Sequence, residues 1–122
     1  GHSFPTRRSS DLSILPTSPG SPSGTPNYQF DGNDEGQVWF SQQAMGYGVA
    51  TIYADAWSAP GFMKTNGNEN GGGYLCGSSG HTCSSGDWRA AFAGMLVQYV
   101  KYYAGVGVPI THLGFLNEPD YV

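Results

Sequence analysis

Residues 110–119 read Ile-Thr-His-Leu-Gly-Phe-Leu-Asn-Glu-Pro, a β-branched and apolar run that leads directly into an amide, a carboxyl and a proline. Ile110, Leu113, Phe115 and Leu116 predict a buried strand of the continuous kind, as in a parallel sheet covered by helices on both faces. Asn117 and Glu118 then stand at its carboxyl end, the edge at which parallel α/β folds bind ligands and carry catalytic groups. Pro119 has no N–H to give a ladder and biases Glu118 toward an extended backbone, so pairing is expected to stop there. An isolated Asn-Glu-Pro tripeptide also fits a strand that runs into a plain polar turn, and the neighbouring segments have to decide between the two.

Upstream of this strand the sequence predicts a helix over about Asp87 to Ala104, capped by Ser85 or Gly86. Trp88, Phe92, Met95/Leu96, Tyr99/Val100 and Tyr103 recur there at the spacing of one helical face, which is a core-packing stripe. Gly105 and Gly107 close the helix. The same order occurs earlier: Asp34 is the expected N-cap of a helix running to about Tyr47, with Val38, Phe40, Ala44 and Met45 as its apolar face and Gly46 and Gly48 as its end. Val49 to Ala54 follows as a second β-rich run. Helix, strand, long loop, helix, strand is the order of a parallel α/β architecture with right-handed crossovers.

Three Trp, eight Tyr and six Phe against five basic and nine acidic residues favour neutral, ring-shaped ligands over polyanions. The net charge of −4 and the lack of a basic stripe argue against nucleic acid. No run approaches the ~18 apolar residues of a membrane span. At 122 residues the chain is about half the ~250 residues of a complete β/α barrel. Residues 1–12, GHSFPTRRSSDL, show no hydrophobic periodicity and lack the apolar core of a secretory signal. They resemble translated sequencing-adapter text, and are expected to be a non-native leader. Residues 13–36 are expected to form a loop segment, since Pro16, Pro19, Pro22 and Pro26 exclude a helix or a central strand from its first part.

Between the two helix-strand units runs a loop that includes the Gly-, Asn- and Ser-rich stretch Asn66 to Gly86; a loop of this length is usually functional or disordered. Cys76 and Cys83 lie within it. As metal ligands with His81 they lack the CxxC spacing and a fourth member, so a disulfide is expected, and with it an oxidising, extracellular compartment. Trp57 follows the earlier strand as Glu118 follows the later one, so both could serve one cleft, with the indole offering a flat face to a sugar ring. A rim aromatic packed under the loop is the plainer alternative. His112 reads as a packed or hydrogen-bonded histidine rather than a base, and Asp55 fits either a structural or a functional role.

The segments YADAWSAPGFMKTNG (53–67) and THLGFLNEP (111–119), with GDWRAAF and YVKYY between them, resemble glycoside hydrolase family 30, most closely its fungal endo-β-1,6-galactanase branch. The likeness covers roughly residues 37 to 121. It implies a (β/α)8 TIM barrel in a secreted, retaining glycosidase that is monomeric at full length, uses no cofactor or metal, and acts on a polysaccharide or oligosaccharide. Residues 37–122 would be the N-terminal part of that catalytic barrel, covering about strands 3 and 4 and truncated after strand 4. Carried onto this chain, Glu118 would be the general acid/base, Asn117 would hold the sugar hydroxyl next to the anomeric carbon, and Trp57 would line the subsite at the cleavage point.

A retaining hydrolase needs two carboxyl groups about 5 to 5.5 Å apart. Glu118 can be only one of them, and in the family the nucleophilic glutamate belongs to a strand near the end of the barrel. The expectation is therefore a fragment of an enzyme, inactive alone. β-Xylan or a glucosylceramide-type lipid are alternative substrates within the same family. A non-catalytic carbohydrate-binding module that keeps Trp57 and Asn117 is the alternative of a different class.

Overall fold

The computed structural model describes residues 13–117. Helix α1 spans Gln37–Gly46, strand β1 Tyr53–Asp55, helix α2 Arg89–Gly105 and strand β2 His112–Gly114. Strands β1 and β2 pair in parallel, in the register Tyr53 with His112, Ala54 with Leu113 and Asp55 with Gly114. Two parallel strands joined through a helix form the βα repeat that the sequence order predicts. Both strands are much shorter than the expected apolar runs 49–54 and 110–116. The surroundings of β2 also differ from a strand buried on both faces, for Phe115 is 63 % and Leu116 40 % exposed. Apolar composition marks a segment as able to be buried, whereas burial itself needs neighbours, and among the described residues only β1 flanks this strand.

Helix α2 carries the main packing surface. Trp88, Phe92, Met95 and Tyr103 are buried along one face, as the spacing predicts. Trp88, Phe92 and Met95 pack with Ala59, Met63 and Cys76 from the long loop and with Ile14 and Leu15 from the Pro-rich segment. The principal core thus lies between α2 and the loop, and not on the sheet. Residues 13–33 form no helix or strand, yet Ile14 and Leu15 are buried and the Gln29 N–H donates to the Ile14 carbonyl at 2.7 Å. A second cluster of Val38, Tyr103 and Val108, flanked by Ile52 and Ile110, joins α1 to the strand entrances.

Asp34 does not cap α1. It lies in a 3-10 turn, Asp34–Gly36, with a left-handed φ of 51°, and α1 follows Gly36 with no side-chain cap. Its Oδ2 instead accepts hydrogen bonds from the Tyr99 hydroxyl at 2.6 Å and the Tyr103 hydroxyl at 2.5 Å, both on α2. The turn-capping role belongs to Asp31, whose Oδ1 accepts from the Asn33 and Asp34 N–H groups. Those two bonds hold the Asp31 carboxyl below its ordinary pKa. Gln42 Nε2 adds a second link between the helices by donating to the Val106 carbonyl at 2.9 Å. The expected apolar face of α1 is only partly used: Val38 is buried, while Phe40 is 69 % exposed.

The N-cap of α2 is Trp88, with no side-chain cap of its own, so neither Ser85 nor Gly86 fills that position. Ser85 Oγ accepts from the Trp88 indole at 2.9 Å, and Asp87 Oδ1 accepts from the Arg89 N–H at 3.0 Å. The Arg89 guanidinium, hydrogen-bonded to Asp87, holds that carboxyl at about 2.

Cys76 and Cys83 form a disulfide, as expected from their composition and spacing, with Cα atoms 5.4 Å apart. Thiol titration of the unfolded, unreduced protein is expected to find neither cysteine free. Reduction is expected to lower stability by about 2 to 3 kcal/mol on the chain-entropy argument. Two reactive thiols in the unreduced protein would show that the bridge does not form.

Candidate active site

Strand β1 is held to the entrance of β2 by Thr111. Its N–H donates to the Ile52 carbonyl at 2.9 Å, and its hydroxyl accepts from the Ile52 N–H at 3.0 Å. At the far end the Ala56 N–H donates to the Gly114 carbonyl at 3.1 Å, the last bond before the chains part. Trp57 is the next residue, and Asn117 lies three positions beyond Gly114. The pairing therefore brings both to the carboxyl edge of the two parallel strands, where the sequence places a site. Glu118 lies outside the described residues.

Trp57 is 48 % exposed, so its indole keeps a wet face. Its backbone is set by the ladder bond at Ala56 on one side and by buried Ala59, Pro60 and Met63 on the other, with the Phe62 ring edge-on to Trp88. Asn117 is half-buried.

Side chains alternate across a strand, so Tyr53 and Asp55 share one face of β1, paired with His112 and Gly114 on β2. A Cβ at Gly114 would collide with the Tyr53 hydroxyl and the Asp55 carboxylate. Glycine is required there because those two groups occupy its side-chain space. Asp55 Oδ1 is buried over Gly114 with no hydrogen-bond partner among the described residues, which makes it the costliest polar atom of this edge. The sequence left Asp55 undecided, and the signal that could have singled it out is its place at the end of a β-rich run, just before Trp57. His112 is exposed, and its Nδ1 lies 2.9 Å from the Thr111 hydroxyl, so it is hydrogen-bonded, as expected, but not packed.

Beyond Trp57 the chain turns through Gly61–Met63, and Lys64 Nζ donates to the Glu69 carbonyl at 3.3 Å. Burial lowers the Lys64 pKa, and the Glu69 charge opposes that shift. Among the described residues no group of three His, Cys, Asp or Glu could hold a metal ion. No described helix is long and apolar enough to cross a membrane. Chemically, the edge offers an open aromatic face, an amide and hydroxyl groups, a set suited to a neutral polyhydroxylated ligand.

Comparison with known proteins agrees. Residues 31–121 match the glycosyl hydrolase family 30 TIM-barrel domain. The chain is 31 % identical over 122 aligned positions to endo-1,6-β-D-glucanase BGN16.3 of Trichoderma harzianum, covering 80 % of this chain and 24 % of that protein. It is 37 % identical over 76 positions to endo-1,6-β-D-glucanase neg1 of Aspergillus fumigatus, covering 56 % of this chain and 15 % of the relative. Among solved structures, the catalytic domain of the family 30 xylanase C from Talaromyces cellulolyticus superposes with a TM-score of 0.88 at 62 % identity, over 89 % of this chain and 25 % of that one. The chain thus spans a quarter or less of the length of these relatives. None of the three is named a galactanase, the branch the motifs most resemble. A match that takes in both strands, both helices and the strand ends that carry Trp57 and Asn117 makes this chain a member of glycoside hydrolase family 30.

Proposed function

We propose that the whole protein is a secreted, retaining endo-β-glycanase whose cleavage point lies at the carboxyl edge of β1 and β2, strands 3 and 4 of its barrel. The observation that carries this reading is the convergence of Trp57 and Asn117 at one end of adjacent parallel strands. Glu118, next in sequence to Asn117, is the general acid/base. It protonates the departing glycosidic oxygen and then activates the water that hydrolyses the glycosyl-enzyme intermediate. Asn117 holds the hydroxyl beside the anomeric carbon, and Trp57 stacks on the sugar ring at the cleavage point.

The attacking carboxylate comes from another strand end of the barrel. Asp34 is committed to two tyrosines. Asp31 and Glu69 lie in loops. Asp55 packs its carboxylate over Gly114 within the β1–β2 pairing. The Cys76–Cys83 bridge supports a secreted protein.

For the substrate, 62 % identity to a xylanase favours β-xylan. The two glucanases support β-1,6-glucan next, and the motif resemblance adds β-1,6-galactan. Release of reducing sugar from these three polymers by the whole protein, with the anomeric configuration of the product followed by NMR, tests the reading. The expected result is fastest release from xylan with net retention. Inversion, or no release from any of the three, would overturn it.

A further inference from the structure

We propose that Tyr74, stacked on His81, is a distal sugar-binding platform that grips the glycan beyond the cleavage point; the proposal rests on the glycanase reading above. Residues 56–88 connect the end of β1 to the start of α2, so they lie at the same carboxyl edge as Trp57 and Asn117. Within this connection the chain makes a short hairpin. Lys64 bridges Leu75 in antiparallel fashion, the Thr65 N–H donates to the Tyr74 carbonyl at 2.8 Å, and the Tyr74 N–H donates to the Thr65 hydroxyl at 3.0 Å. The base of the hairpin is anchored where the Cys76 N–H donates to the Met63 carbonyl, both residues buried, and by the bridge to Cys83.

The tip is ordered from within. Asn66 Nδ2 donates to the carbonyls of Asn70 and Gly72, and its amide fills the space that a side chain at Gly73 would need. On the other side the Gly77 N–H donates to the His81 carbonyl at 2.9 Å. These restraints hold the Tyr74 and His81 rings 3.6 Å apart and 7° from parallel.

Neither ring packs into either buried cluster, and Tyr74 remains 57 % exposed. A parallel stack covers one face of the phenol and leaves the other flat and wet, which is the geometry that the apolar face of a pyranose meets. The surrounding segment 64–74 holds one cation and one carboxylate, so the surface suits a neutral chain. Because the rings are fixed before binding, little side-chain entropy is lost on contact.

The test measures kcat and KM of the whole protein on β-1,4-xylo-oligosaccharides from xylobiose to xylohexaose. Tyr74→Ala is expected to raise KM for the longest oligosaccharides roughly three- to tenfold, from the usual strength of a stacking contact, with KM for the shortest and kcat for all unchanged. Tyr74→Phe, which keeps the ring, is expected to match wild type. An unchanged KM for xylohexaose in Tyr74→Ala would overturn the platform, and so would equal rises for short and long substrates, which would mark a structural role. Wild-type protein inactive on every β-glycan tried would remove the glycanase reading and the platform with it. Active wild type with an indifferent Tyr74→Ala removes the platform alone.

Discussion

In the whole enzyme, Glu118→Gln is expected to lower kcat on xylan by roughly a hundred- to ten-thousandfold, the usual contribution of a positioned proton donor. Aryl glycosides with good leaving groups should lose far less in the step that expels the aryl group, because a phenolate that leaves without a proton does not need the donor. Glutamine keeps the size of the side chain and can still accept a hydrogen bond, so the folded state should be preserved. A Glu118 that only bound sugar would give equal losses on both substrate types, and that outcome would remove it from the acid/base role. Trp57→Ala and Asn117→Ala provide contrast, since they act on positioning: both should impair xylan and aryl glycosides together.

The features legible in the sequence are those with a local signature. The α2 stripe was readable because Trp88, Phe92, Met95 and Tyr103 follow helical spacing, and the structure buries the last three on that helix and Trp88 at its N-cap. The Cys76–Cys83 pair was readable because the only two cysteines of the sequence lie seven positions apart in one loop. That Trp57 and Asn117 follow strands ending on one edge was readable, since each comes after a β-rich run and parallel pairing puts both strand ends together. Contacts between segments distant in sequence were not readable. Ile14 and Leu15 sit in a stretch whose prolines announce a loop, and nothing local says that its two apolar residues fill the core against α2. Asp34 was misread for the same reason. Its neighbours Asn33 and Gly36 look like a helix start, while its actual partners are 65 and 69 positions away. The vacancy at Gly114 likewise acquires meaning only once Tyr53 and Asp55 are known to lean over it.

Asp34→Ala is expected to cost about 3 to 5 kcal/mol of stability, the largest effect anticipated outside the catalytic edge. Two hydrogen bonds to a buried charged acceptor are worth about 1.5 to 3 kcal/mol each, and their loss would leave the hydroxyls of Tyr99 and Tyr103 without that acceptor. Alanine also tolerates the left-handed φ of 51° less well than aspartate. Against a typical domain stability of 5 to 15 kcal/mol, a loss of this size would unfold a substantial fraction of the protein near its working temperature. Asp34→Asn, which keeps one acceptor and accepts the same backbone, should cost less. The same contacts set an alkaline limit. Burial first, then the Asp34 carboxylate, raises the pKa of both Tyr99 and Tyr103 above the ordinary phenol value. The native state therefore holds these two protons to higher pH than the unfolded chain. Their contribution is complete below about pH 10, where an unfolded tyrosine titrates, and is lost as pH rises beyond it. Urea melts of the whole protein between neutral pH and pH 11 should show the midpoint falling above pH 10. The fall should be shallower in a Tyr99→Phe, Tyr103→Phe double variant. A wild-type midpoint with the same pH profile as the double variant, together with an Asp34→Ala midpoint near that of wild type, would show that the carboxylate does not join the two helical segments.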